Sequence, residues 1–145
     1  MVKVSACLSF AVVLCLSSIF VSSITGDDKG GAAKERLFEM RTYTAAPGKL
    51  DELHARFRNH TNKLFQKHGM TLIGYWTHAE GDGAKNTLVY ILAYPDKEAR
   101  EKAWKAFQDD PEWKKVKADS EANGPLLAKP PESVFLKPTD YSPIK

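Results

Sequence analysis

The chain has 145 residues, enough for one domain of ordinary size. Its composition, 43% apolar, 27% charged and 10% aromatic, is that of a soluble globular protein and not of a fibrous or low-complexity one. The formal charge of +3 is small and scattered, with no basic stripe, so nucleic acid is not an expected partner.

The N-terminal stretch differs in character from the rest of the chain. Lys3 supplies a short positive segment, and VSACLSFAVVLCLSSIFV then runs to Val21 without a charge. The small residues beyond it offer cleavage after Ser23 or Gly26, the pattern of a secretory signal peptide. The expected organisation is a leader over residues 1–26, a polar glycine-containing linker over 27–35, and an exported domain over 36–145, periplasmic or extracellular. The alternative is an uncleaved anchor, because an apolar run of this length approaches the span of a bilayer. With the leader removed, no membrane contact is expected. Both cysteines, Cys7 and Cys15, lie inside the leader. The exported domain would then carry no thiol, which excludes a disulfide scaffold, a zinc-thiolate site and a cysteine nucleophile.

The domain opens with RLFEMRTYTA, which alternates as a strand does: Phe38, Met40 and Thr42 on one side, Glu39, Arg41 and Tyr43 on the other. From Leu50 to His68 the spacing becomes helical. Leu50, Leu53, Phe57, His60 and Leu64 form an apolar seam, with Phe65 widening it. Gly69 sits where a left-handed cap belongs, with His68 in the last turn.

MTLIGYW (70–76) and TLVYILAY (87–94) read as two strands, joined through the turn chemistry of EGDGAKN. DKEAREKAWKAF is a second helix, with Ala99, Ala103 and Phe107 on one face. Asp110 and Pro111 fit the N-cap and first position of a third, which carries Trp113, Val116 and Ser120 inward. SVFLKP supplies a fourth strand. The order is β-α-β-β-α-β, so the fold class is α+β, ferredoxin-like, with a four-stranded antiparallel sheet.

Two helical layers' worth of sequence covers only one face of such a sheet. Strands two and three are nonetheless apolar on both faces. Leu88, Tyr90 and Leu92 oppose Val89, Ile91 and Ala93, and alternation sets Leu72 and Trp76 against Ile73 and Tyr75. A second copy of the chain is the expected cover, giving a homodimer in which two sheets wrap into a barrel. A small organic ligand is expected inside that barrel.

FEMRTYTAAPGKLDELHARFRNHTNKLFQKHGMTLIGYW resembles the first half of a NIPSNAP domain, and LVYILAYPDKEAREKAWKAFQDDPEW resembles its second half. SEANGPLL and FLKPTDYSP continue the likeness. The resemblance implies a ferredoxin-like fold that dimerises as an α+β barrel, in a secreted member of bacterial type. It implies no reaction, since the family has none generally established. Its better-known members are mitochondrial proteins of animals linked to vesicle traffic and mitochondrial quality control. Those roles do not carry over to a single domain behind a secretory leader. The wider group of dimeric barrels includes cofactor-free monooxygenases, haem-degrading enzymes and isomerases, so an enzymatic role is implied by analogy of fold alone.

The histidines do not make a metal site. His54 and His60 point about 240° apart around a helix, and His60 and His68 lie roughly 12 Å apart along its axis. His60 alone is of interest. On the seam between Phe57 and Leu64 it would need a hydrogen-bond partner, for which Glu39, Arg41, Tyr43 and Tyr90 are in place. Its plain role is a satisfied core histidine, and its chemical one a proton handler at a pocket edge. Glu39, Arg41 and Tyr43 are the second candidate group, either as a salt bridge or as the polar wall of a pocket for an anionic or carbonyl ligand. Trp76, Trp104 and Trp113 read as core and interface anchors, though a tryptophan can also stack on a flat ligand.

The expected function is a homodimeric protein that binds a small ligand or acts structurally, through Glu39, Arg41, Tyr43, His60, Trp76 and Tyr90, without a cofactor. The alternative is a cofactor-free oxygenase or isomerase acting on a small aromatic or carbonyl compound. There His60 would handle the proton, and Tyr43 or Arg41 would face the oxyanion.

Overall fold

The computed structural model of the chain describes Met1 and residues 35–145. The leader, and the linker up to its last residue, fall outside the described residues. Four strands, β1 (Leu37–Thr44), β2 (Thr71–Thr77), β3 (Thr87–Tyr94) and β4 (Glu132–Leu136), form one antiparallel sheet in the order β2-β3-β1-β4. The first helical stretch has three parts: α1 (Leu50–Arg56), a π-helical turn (Phe57–Thr61) and α2 (Asn62–Lys67). The second consists of α3 (Lys97–Asp109) and α4 (Pro111–Ser120). This is the ferredoxin-like arrangement, with the helices on one face of the sheet.

Local chemistry explains the joints. The Asp96 carboxylate accepts from the Ala99 backbone N–H at 2.9 Å and starts α3. Asp110 accepts from the Glu112 N–H at 2.8 Å, and Pro111 begins α4 where a missing N–H costs nothing. Gly69, at φ +80°, ends α2 in the left-handed region that disfavours a side chain. The His68 ring does not cap its own helix. Its Nε2 lies 2.7 Å from the Asp110 carboxylate, and Lys67 Nζ reaches the same oxygen at 2.8 Å. The end of the first helical stretch is thereby tied to the junction of α3 and α4.

Two expectations are corrected. His60 does not face the sheet; it is exposed. The cause is the π turn, in which the Asn62 N–H reaches back five residues to the Phe57 carbonyl. That wider winding turns His60 outward and brings Thr61, 2% exposed, into the seam between Phe57 and Phe65. The Thr61 hydroxyl supports the turn by donating to the Arg56 carbonyl at 3.3 Å. Strand two likewise departs from strict alternation. A bulge between Leu72 and Gly74 lets both Leu72 (opposite Leu92) and Tyr75 (opposite Tyr90) face the helices. Trp76 falls opposite Val89, on the far face. Its ring folds back over Gly74, where a Cβ would stand 2.7 Å from it, so any larger residue there would push the ring aside.

The helix-facing core centres on Tyr43, Leu53, Phe57, Leu64, Phe65, Tyr90, Leu92, Trp104 and Phe107. Among the described residues, no helix lies on the far face. The C-terminal segment crosses one end of it, where Pro138, Ser142 and Ile144 meet Phe38, Ile73 and Ile91 around an apolar groove. Arg36 Nε holds that segment by donating to the Lys145 carbonyl at 2.5 Å. Trp76 and Val134 stay 49% exposed.

Sheet and helices are tied by one carboxylate. Glu39, fully buried on β1, accepts on Oε1 from Arg41 Nη1, Arg100 Nη2 and Ser133 Oγ, each at 2.7 Å. Its Oε2 accepts from Arg100 Nε at 3.0 Å, Trp104 Nε1 at 3.0 Å and the Tyr94 hydroxyl at 3.1 Å. Burial alone would raise the Glu39 pKa. The hydrogen bonds from Arg100, Ser133 and Arg41, with the Arg41 charge, outweigh it and lower the value from 4.5 to about 2.

These contacts set two expectations for stability. His60→Ala is expected to change unfolding free energy by less than about 0.5 kcal/mol, whereas Phe57→Ala costs about 3–5 kcal/mol. A cost above about 1 kcal/mol for His60→Ala in denaturant titration would put that ring back in the core. Glu39→Gln leaves Arg41 and Arg100 without their counter-charge and is expected to cost about 3 kcal/mol or more. Because the folded pKa lies below the ordinary one, the Glu39 contribution is complete above pH 4.5 and is lost as pH falls toward 2. Denaturation midpoints across that window should fall less steeply in the glutamine variant than in the parent protein.

Candidate functional site

A cavity of about 740 Å³ lies between the helices and the sheet, on the side of β1 that carries Arg41 and Tyr43. It is not the barrel interior in which the sequence pattern places a ligand. β1 builds its floor with Arg41 and Tyr43, and Arg41 stands opposite Tyr90 of β3 in register. The first helical stretch contributes Arg56, Phe57 and Thr61; α3 contributes Trp104, Phe107 and Gln108; α4 contributes Trp113, Lys114 and Lys117. The loop before β4 closes the mouth with Leu127, Lys129 and three prolines, at 125, 130 and 131.

Two arginines dominate its chemistry, and each lies against a tryptophan. The Arg41 guanidinium is 4.3 Å from the centre of the Trp104 ring, and the Arg56 guanidinium 5.3 Å from that of Trp113. Arg41 bonds Glu39 through Nη1. Arg56 bonds Glu121 at 2.9 Å and Ser120 at 3.2 Å, also through Nη1. The Nε atoms of both are buried and have no hydrogen-bond partner. Burial alone would lower the Arg41 pKa, but the facing hydroxyls of Tyr90 and Tyr43 and the Glu39 carboxylate raise it, so the side chain is cationic at every working pH.

The wall is aromatic. Tyr43 meets Tyr90 at 5.2 Å and Phe57 at 5.8 Å, both edge to face, and Phe107 packs on Trp113 at 4.4 Å. The hydroxyls of Tyr75 and Tyr90 are buried without a partner. Burial raises both pKa values, and their mutual proximity to Tyr43 raises them further, so these phenols stay neutral.

Of the residues singled out in the sequence, the structure brings Glu39, Arg41, Tyr43 and Tyr90 together. Arg41 and Tyr43 line the cavity, Glu39 anchors Arg41 from beneath, and Tyr90 packs behind Tyr43. His60 is not among the lining residues, and Trp76 lines a smaller cleft with His54, Arg58 and Tyr75 beside β2. Glu121 is the one carboxylate among the lining residues, and no histidine is among them. Sequence reasoning missed Arg56, a cation set inside the apolar seam between Leu53 and Phe57. It also took Trp104 and Trp113 for plain core. The signal for Arg56 was present, since a charge on the inner stripe of a helix calls for a partner. Among the described residues, no cluster of three His, Cys, Asp or Glu side chains is placed to hold a metal ion.

A family model described as NIPSNAP matches residues 38–143. No curated protein matches the chain. Among solved structures, an uncharacterized NIPSNAP-like domain protein from Burkholderia xenovorans is similar at 24% identity and TM-score 0.66, covering 76% of this chain and 90% of that one. An uncharacterized NIPSNAP domain protein from the same organism shares 29% identity at TM-score 0.62, over 74% of this chain and 98% of that one. A monooxygenase from Streptomyces coelicolor, solved in complex with the ligand nanaomycin D, shares the fold at 17% identity and TM-score 0.51, over 75% of this chain and 92% of that one. Matched across nearly all of its folded portion, the chain belongs to the NIPSNAP family.

Proposed function

We propose that this protein is an exported homodimer that binds a small organic ligand in the cavity between its helices and its sheet. The observation that carries the reading is the cavity itself: about 740 Å³, walled by aromatic rings and holding two buried guanidiniums with unpartnered Nε atoms. Cavities of roughly 300–1,000 Å³ suit drug-sized ligands, and buried donors are rarely left idle in a site with no binding role. Dimerisation is supported by the far face of the sheet, where Met40, Val89, Trp76 and Val134 lie beyond the C-terminal segment with no helix of the described residues over them. Export rests on the leader-like N-terminus.

A second reading, a cofactor-free oxygenase or isomerase, is favoured by Arg41 and Tyr43 sharing the cavity wall, where an oxyanion could sit against both. It draws support from the fold shared with the Streptomyces monooxygenase. With His60 outside the cavity lining, proton transfer in this reading falls to Tyr43.

Native mass spectrometry of the protein recovered from the envelope of its own host tests these points together. A dimer of the shortened chain carrying extra mass is the expected result. An unshortened chain would overturn cleavage of the leader, and a monomer would overturn the dimer. Trp76→Glu is expected to shift the dimer to monomer without unfolding it, because that ring is half exposed on the open sheet face. Turnover of the released compound by the pure protein would favour the enzyme over the binding protein.

A further inference from the structure

We infer that the cavity selects an aromatic carboxylate, seated with its carboxylate against the Arg41 and Arg56 guanidiniums and its ring among the tryptophans. This rests on the reading that the cavity holds a small ligand, and it names the chemistry of that ligand.

The first ground is charge. Glu39 is bonded to both Arg41, on the cavity lining, and Arg100, outside it, so Arg41 has only a share of one counter-charge. Arg56 is matched by Glu121, and Lys129 by Glu132. Lys114 and Lys117, also on the lining, form no ion pair among the described residues. Among the described residues, the cavity lining therefore carries more positive than negative charge. A cation buried to the extent of Arg41, at 12% exposure, is costly unless an anion compensates it.

The second ground is donor geometry. Arg56 is 5% exposed and Arg41 little more, yet each engages its carboxylate through Nη1 alone and leaves Nε unbonded. Nε is closed to solvent in both, so the donor each arginine keeps for a ligand is Nη2, which forms no hydrogen bond among the described residues. A charged N–H of this kind bonds a carboxylate oxygen more strongly than a neutral one.

The third ground is the wall. Each guanidinium already lies against an indole face, Arg41 on Trp104 and Arg56 on Trp113. A flat ring entering beside them extends a stack that is already built, with Phe107 and Tyr43 meeting its edges. An aliphatic acid would satisfy the charge but not this surface.

The test is isothermal calorimetry on the purified full chain with three probes of one shape: 2-naphthoate, 2-naphthamide and 2-naphthylmethylamine. The expected result is that 2-naphthoate binds at least about tenfold more tightly than the amide and that the amine binds weakest. Arg56→Gln should remove most of that preference. Lys117→Gln, a change at an exposed residue of the lining, should weaken 2-naphthoate about two- to fivefold without affecting the fold. Equal affinity for acid and amide, or a preference for the amine, would overturn the anion selection and leave the cavity as a binding site of another class. Failure of all three probes, together with a host-purified protein that carries no extra mass, would overturn the ligand-binding reading and this inference with it.

Discussion

Placing a carboxylate in the interior is costly unless every lone pair it brings is answered, and the fold is arranged around answering those of Glu39. Its six donors come from β1, from Tyr94 at the end of β3, from Arg100 and Trp104 on α3, and from Ser133 on β4. These residues are up to 94 positions apart in the chain. The Ser133 bond waits on the pairing of β4 with β1, and the Arg100 and Trp104 bonds on the docking of α3, so the full network rewards the complete topology. It also fixes the rotamer of Arg41. With Nη1 held at 2.7 Å and the guanidinium plane against Trp104, that side chain reaches the cavity already ordered. A ligand that uses it loses little entropy in doing so.

The sheet's two faces serve different ends. Toward the helices, β1 and β3 present Arg41, Tyr43 and Tyr90, and the edge-to-face contacts among Tyr43, Tyr90 and Phe57 make a stiff wall. Toward the other side, the same strands present Met40, Val89 and Ile91, partly exposed, with Thr42 beside them. Because successive residues of a strand alternate in direction, a single short segment such as FEMRTY supplies both surfaces. A change in the register of β1 against β3 would exchange them, which makes the pairing of Arg41 with Tyr90 a functional as well as a structural requirement.

Much of this was legible before the structure. Alternation located β1 and β3, and Asp110 followed by Pro111 announced α4. Charged residues within an otherwise apolar strand singled out Glu39 and Arg41. What escaped was of two physical kinds. The π turn and the β2 bulge are backbone events, each inserting one residue into a regular period, and no side chain near Phe57–Thr61 or Ile73–Gly74 encodes them on its own. The other kind is long-range. That Trp104 lies under Arg41, or that Arg56 meets Trp113 and Glu121, depends on where α3 and α4 dock, which local spacing does not carry. The cavity is made of such contacts, so its walls were seen as separate elements and not as one enclosure.

The extra residue in the first helical stretch has a consequence for how this chain is read beside its relatives. The helix runs in two frames, one up to Phe57 and another from Thr61 onward. A relative whose helix keeps a single α-helical frame would present its inward side chain one letter earlier, at the position equivalent to His60. An ungapped alignment would then pair a solvent-facing residue of one protein with a cavity-facing residue of the other. Identity counted across that stretch would understate kinship, and a site transferred along it by position number would land on the wrong side of the helix.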